Sequence, residues 1–408
     1  MKAVVVHATI PRYLATRALG RLWPGAYLSQ VSPVQLREIP EPRLPGPEWL
    51  RVHVDLAGIC GSDLSLVHLE TSLAASVYAS MPFVIGHENV GTVVEAGPDA
   101  GAAVGSRVVV EPLLPCAARG FADPCAACAR GDYNLCSRFA EGALAPGLGH
   151  GACRDVGGSW GEVLVAHRSQ LVPVPPQMAD EQAVMVEPLA VAVHAVLRFV
   201  PPDAATVLVA GAGTIGLASV AALRALRPAS QAVVLARHPH QAALARRLGA
   251  SAVVTPDRGA HYQEIARLTG ARVLRPLLGL PVLTGGVDVV LECVGRARSI
   301  DDALRLTRAG GTVVLVGLAA VPQGVDWTPI WLREVSVRGT FAYAWERVDG
   351  RAVRSIDLAM ELLASGQVDL QPLVTHRFPL VEYRRAIDVA GDKRRHRAVK
   401  VVLQPRPA

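Results

Sequence analysis

The chain has 408 residues, of which 51% are hydrophobic and 19% charged, with a formal net charge of +6. That balance excludes a disordered or fibrous chain and leaves room for two or three domains, each with its own core. The positive charge is spread along the whole length. Its densest run, Lys393-Arg394-Arg395-His396-Arg397, lacks the interleaved aromatics of a nucleic-acid module and reads as a solvated loop ahead of a final strand at 398–403.

In chain order, Met1 to His7 reads as a short strand without signal-peptide architecture. Seven cysteines, an odd number, then imply reduced thiols and a cytoplasmic location. Residues 1–185 are rich in glycine, proline and short β-branched runs such as Leu50-Arg51-Val52-His53-Val54 and Val90-Gly91-Thr92-Val93-Val94. They predict an irregular all-β domain with long loops. From about Glu187 apolar strands at 206–210, 232–236, 287–292 and 312–317 alternate with helices at 215–226, 241–248 and 299–308. That rhythm predicts a doubly wound α/β domain, a parallel sheet covered on both faces. The stretch 341–408, with helices at 355–365 and 382–389, is expected to return to the first domain. The expected division is 1–188, 189–340 and 341–408. The uncharged run 206–223 approaches the length of a membrane span, yet its internal Gly-x-Gly-x-x-Gly suits a buried strand followed by a helix, so no membrane contact is expected.

Two groups of residues carry metal chemistry. Cys60, in Gly58-Ile59-Cys60-Gly61-Ser62-Asp63, and His87 and Glu88, in Gly86-His87-Glu88, offer thiolate, imidazole and carboxylate, a donor set suited to zinc with one position left open. Glu187 is a fourth ligand or a carboxylate that holds water. Zinc held in this way acidifies an alcohol hydroxyl, and a deprotonated alcohol can expel hydride. Asp63 suits the free N–H of His87 and would fix its tautomer. The second group is Cys116, Cys125, Cys128 and Cys136. Four thiolates make a closed structural zinc site, which would tether a loop poor in apolar residues; two disulfides are the alternative.

A nucleotide site follows. Gly211, Gly213 and Gly216 sit between a strand and a helix beginning near Thr214 and Ile215, where backbone N–H groups can meet a pyrophosphate. The next strand ends at Ala236-Arg237-His238. An NAD site places an acid here for the ribose 2′-hydroxyl, whereas arginine suits a 2′-phosphate, so NADP is favoured over NAD. Val294 and Gly317 complete the expected cofactor-binding set.

These motifs, with Gly158-Ser159-Trp160-Gly161-Glu162 and Glu187-Pro188-Leu189-Ala190-Val191-Ala192-Val193-His194, resemble the zinc-dependent medium-chain dehydrogenases over nearly the full length. Glu-Pro-Leu at 187–189 is most similar to the sorbitol, threonine and glucose dehydrogenase branch. The resemblance implies a GroES-like β domain, a Rossmann domain and an active site in the cleft between them. It also implies a dimer or tetramer. By it, Cys60, His87 and Glu88 or Glu187 hold catalytic zinc, Ser62 hands on the substrate proton, and the four lobe cysteines hold structural zinc. The expected activity is interconversion of an alcohol or polyol, a secondary alcohol for preference, and its carbonyl compound. Rival readings are an NAD-dependent relative and a non-catalytic zinc and nucleotide sensor. Four departures stand out: Ser65 replaces a relay histidine, leaving His68 as the nearest; residues 117–124 lengthen the cysteine lobe; 10–30 and 271–286 are longer than usual; and Ala236 replaces an acid.

Overall fold

The computed structural model describes residues 1–201, 203–257 and 259–406. Two compact units emerge, one built from 1–187 and 370–408, the other from 188–369.

The first unit is a β framework. Trp49–Gly58 runs through its middle, flanked by Asn89–Ala96, Val163–His167 and the terminal strand Lys400–Gln404. Valine and leucine alternate along Trp49–Gly58 so that one face is buried, as a half-covered antiparallel sheet requires. Val52, Val54, Ile85, Trp160, Leu164, Ile387 and Leu403 form the core on that face. Trp160 is fully buried and donates its indole N–H to the Gly58 carbonyl at 3.1 Å. The basic run is not a loop. Lys393–His396 is a short helix, Asp392 caps it, and Arg397 turns the chain with φ of 55° into the final strand.

The second unit contains a six-stranded parallel sheet. In chain order its strands are Thr206–Ala210, Gln231–Leu235, Ala252–Val254, Val287–Glu292, Thr307–Leu315 and Ser336–Gly339. Their spatial order is third, second, first, fourth, fifth, sixth, the doubly wound order of dinucleotide-binding sheets. Helices Thr214–Leu226, Pro239–Arg247 and Ala297–Leu306 lie within two residues of the expected ranges.

The return to the first unit comes at Leu370, not at 341. Helix Ser355–Ala364 and the hairpin Trp345–Val348/Arg351–Arg354 belong to the second unit. The reason is a buried charge cluster: Glu346 accepts from His194 Nδ1 at 2.6 Å and from Arg198 Nε at 2.9 Å, both on helix Val186–Phe199. Nothing in the local pattern of 341–354 announces a partner some 150 residues away.

His150, buried in the first unit, shows how the framework responds to acid. Burial pulls its imidazole down to about 4, against the opposing pull of the Gly157 main chain and Gln170. The unfolded chain takes up this proton near 6.5, whereas the folded chain stays neutral until about 4. The unfolded state therefore binds more protons between those values, so stability is full above pH 6.5 and is lost as pH falls, by up to about 3 kcal/mol. We expect His150→Gln to flatten that part of the pH profile, measured as urea unfolding free energies of both proteins between pH 4 and 7.

Candidate active site and nucleotide site

Cys60 ends the central strand and stands at the N-cap of helix Gly61–Val67. Its main-chain N–H is held by Asp63 Oδ2 at 2.9 Å, which fixes the turn that presents the thiol. Strand Phe83–Val84 leads into Ile85-Gly86-His87-Glu88, which the segment 158–160 crosses through Ser159 N–H to Gly86 O and Trp160 N–H to Ile85 O, both 3.0 Å. The donor atoms of Cys60, His87 and Glu88 all lie within 4.8 Å of one another.

Glu88 is the pivot of this arrangement. Its carboxylate is 1% exposed and pairs with Lys400, also 1% exposed, whose ammonium donates further to Ile59 O at 3.2 Å. Only one carboxylate oxygen is used in this way. The other, Oε1, is buried and has no hydrogen-bond partner among the described residues, a costly state unless a cation takes it up. Gly58 makes the pairing possible, since a Cβ there would lie 1.8 Å from Glu88 Oε2. A thiolate, an imidazole and a carboxylate whose donor atoms converge within 4.8 Å are a set that fits zinc.

Asp63 reaches His87 Nδ1 at 3.6 Å, a charge contact rather than a hydrogen bond. Burial raises the Asp63 carboxyl to about 6 despite the pull of His87. Burial likewise opposes the charged form of His87, but Asp63 and Cys60 outweigh it and hold that imidazole well above its usual range. Glu187, in the first turn of its helix, is buried and stands outside the tight trio, yet its charge acts on His87. Burial lifts its carboxyl to about 7, with His87 opposing and Glu88 reinforcing. Ser62 Oγ is buried and without a partner among the described residues. His68 turns Nδ1 to Leu64 O at 2.8 Å and its ring edge to Tyr27, and no hydrogen bond joins it to Ser62 among the described residues.

Cys116, Cys125, Cys128 and Cys136 also converge within 4.8 Å, with Cys136 Sγ at 3.7 Å from Cys116 Sγ and 3.9 Å from Cys125 Sγ. All seven cysteines are free thiols, so the two-disulfide alternative is not what the structure contains. Backbone N–H groups of Cys125 and Arg138 point at Cys116 and Cys136 sulfurs, as they would at thiolates. The donor set fits a closed tetrahedral zinc site.

In the second unit Gly211 has φ of +104°, and a Cβ on Gly216 would lie 1.8 Å from the Gly211 carbonyl oxygen. The turn therefore closes tightly onto helix Thr214–Leu226, capped at Gly213, which sets the start of that helix beside the glycine turn, where a helix N-terminus suits an anion. Val294 follows the fourth strand and meets this turn, and Gly317 follows the fifth and packs on the Val294-Gly295 loop. A Cβ on Gly211 would come within 2.5 Å of Val294 Cγ2, and one on Gly317 within 2.4 Å of Gly295 N. Buried Glu292 holds that loop by accepting from Val294 N at 2.9 Å and Gly295 N at 3.0 Å. At the end of the second strand Ala236 is buried and Arg237 is exposed without an ion pair among the described residues. His238 begins the next helix with its ring stacked on His240 at 5.6 Å.

Residues 46–176 match the alcohol dehydrogenase GroES-like domain, and residues 214–357 match the zinc-binding dehydrogenase domain. The chain is 33% identical over 358 residues to L-idonate 5-dehydrogenase of Vitis vinifera, spanning 87% of each chain. It belongs to the zinc-dependent medium-chain dehydrogenases. Within that family it stands with the sorbitol dehydrogenase branch: sorbitol dehydrogenase of Arabidopsis thaliana is 33% identical over 339 residues, 82% of each chain. A solved structure described as a zinc-binding dehydrogenase of Sinorhizobium meliloti 1021 bound to NADP is 30% identical, with a TM-score of 0.69 over 91% of this chain and 96% of that one. This medium-chain dehydrogenase is thus a zinc- and NAD(P)-dependent oxidoreductase of alcohols or polyols, on a GroES-like and a Rossmann-like framework.

Sequence reasoning missed Lys400. A signal existed, since lysine occurs only at positions 2, 393 and 400, and a lone charge inside Ala398-Val399-Lys400-Val401-Val402-Leu403 needs a buried partner. Removing that partner's charge should be severe. We expect Lys400→Met to lose about 3–5 kcal/mol by leaving Glu88 buried and unpaired. Adding Glu88→Gln to it should recover much of the loss, as read by a double-mutant cycle of denaturant unfolding on metal-free protein.

Proposed function

We propose that this dehydrogenase prefers NADP, carries two zinc ions and oxidises a secondary alcohol or polyol, or reduces the corresponding carbonyl compound. The observation that supports the catalytic assignment most directly is the convergence of donor atoms from Cys60, His87 and Glu88, a carboxylate with one oxygen left without a hydrogen bond among the described residues. Cys60, His87 and Glu88 hold the catalytic ion, with Glu187 as the further carboxylate, and the four lobe cysteines hold the structural one. Zinc here supplies the positive charge that acidifies a hydroxyl, and the dinucleotide supplies the hydride acceptor. Asp63 sets the charge and orientation of His87. Ser62 Oγ, without a hydrogen-bond partner among the described residues, takes the substrate proton and passes it on to water. In the nucleotide unit the N–H groups of Thr214 and Ile215 hold the pyrophosphate, Val294 and Gly317 back the ring system, and Arg237, with His238, takes the 2′-phosphate. We further assign the chain to the cytoplasm as a homodimer or homotetramer, without nucleic-acid or membrane partners.

Cys60→Ser should lower zinc from two ions per chain to one, read by elemental analysis, and abolish turnover while the far-ultraviolet spectrum stays unchanged. Retained turnover would remove Cys60 from the site. For the cofactor, losing a charge-assisted contact worth about 1.5–3 kcal/mol should raise KM for NADP about tenfold or more in Arg237→Ala. KM for NAD should stay within about twofold, since NAD offers no such contact. Equal changes for both cofactors would show that Arg237 points to solvent in an NAD enzyme.

A further inference from the structure

Arg119 is 1% exposed and lies in the stretch 117–124 that separates the first two lobe cysteines. Its five guanidinium N–H donors are all directed at main-chain carbonyls. Nε donates to Leu114 O at 3.0 Å, Nη1 to Glu141 O at 2.7 Å and Leu144 O at 3.2 Å, and Nη2 to Ala145 O at 3.2 Å and Gly147 O at 2.6 Å. Its own main chain joins the same passage, with Ala143 N–H donating to Arg119 O at 3.1 Å. The side chain therefore ties 114–119, which carries Cys116, to 141–147, which follows Cys136.

Hydrogen bonding alone does not explain the choice of residue. A buried guanidinium bonded only to neutral carbonyls keeps its full charge, which is expensive without an opposite charge nearby. Among the described residues no carboxylate forms an ion pair with Arg119. Its main-chain N–H donates to the carbonyl of Cys116 at 3.1 Å, which sets it against a lobe ligand; burial lowers its pKa, and the charges of Cys153, Cys136, Asp155 and Cys116 oppose that. A divalent ion held by four thiolates carries a net negative charge, because four negative ligands exceed two positive charges. Such a centre needs a buried cation as much as the cation needs it.

We propose that Arg119 is the resident counter-charge of the cysteine lobe, clamping its two chain passages and balancing the four-thiolate zinc centre. This rests on the lobe binding zinc. The longer spacer between Cys116 and Cys125 is then the segment that brings the cation inside.

The test uses chains carrying Cys60→Ser, in which the lobe zinc is the ion left. Zinc release to excess chelator is followed for this parent and for added Arg119→Lys, which keeps the charge but not the fork, and Arg119→Met, which keeps neither. Loss of a supporting group typically weakens a metal site about 10–100-fold, so Arg119→Met should release zinc at least about tenfold faster, with Arg119→Lys much closer to the parent. Should Arg119→Met not fold, Arg119→Gln supplies the neutral comparison. A parent chain without zinc would sink the lobe assignment and this proposal together. A loaded parent with equal release from the lysine and neutral variants, or with a neutral variant at the parent rate, would sink the counter-charge alone.

Discussion

The buried pair between Glu88 and Lys400 is the contact on which the catalytic end of the first unit depends. It joins the C-terminal strand to the segment bearing His87, two stretches more than 300 residues apart, and does so next to Cys60. An isolated carboxylate in that interior would neutralise itself by taking a proton. Lys400 takes one oxygen of Glu88, and the other meets no hydrogen-bond donor among the described residues. The same pair explains why Gly58 must lack a side chain, and why the chain returns to the first unit after 370 to finish a sheet begun at residue 49.

Charge is handled by the same logic elsewhere in the molecule. In the cysteine lobe Phe139, Phe121 and Leu148 pack with the cysteines, and Arg119 ties the passage before them to the passage after them through main-chain carbonyls. In the second unit Glu346 gathers His194 and Arg198, and Glu292 spends its carboxylate on two N–H groups of the loop beside the glycine turn. Buried charge is costly unless every partner is in place. Each of these groups therefore specifies one arrangement of the chain around it.

Much of the site was legible because its chemistry is local. The spacing of Cys60, Ser62 and Asp63 within one helical turn, the adjacent His87 and Glu88, and the glycine pattern at 211–216 each report a constraint settled within a few residues. Four strands of the six-stranded sheet were legible through their alternation with helices, whereas Ala252–Val254, Ser336–Gly339 and the early start of Thr307–Leu315 were not. The boundary at 341 fails because mixed strands and helices resume there while the segment still packs with the second unit, where Glu346 meets His194 and Arg198. Lys400 was visible only as an oddity, a lysine in an apolar strand, and Arg119 left no pattern at all.

By itself the sequence determined which donors this protein owns, the metal and cofactor chemistry they suit, and the two kinds of framework that carry them. Those properties follow from residue type and short-range spacing, where backbone geometry leaves few choices. Tertiary structure alone decided which charge meets which: Lys400 with Glu88, Glu346 with His194, Arg119 with a ring of carbonyls. Such pairings join residues tens to hundreds of positions apart, and chain entropy gives no local sign of them. They exist because burial removes the water that would otherwise satisfy each group, so that only the folded chain can supply its partner.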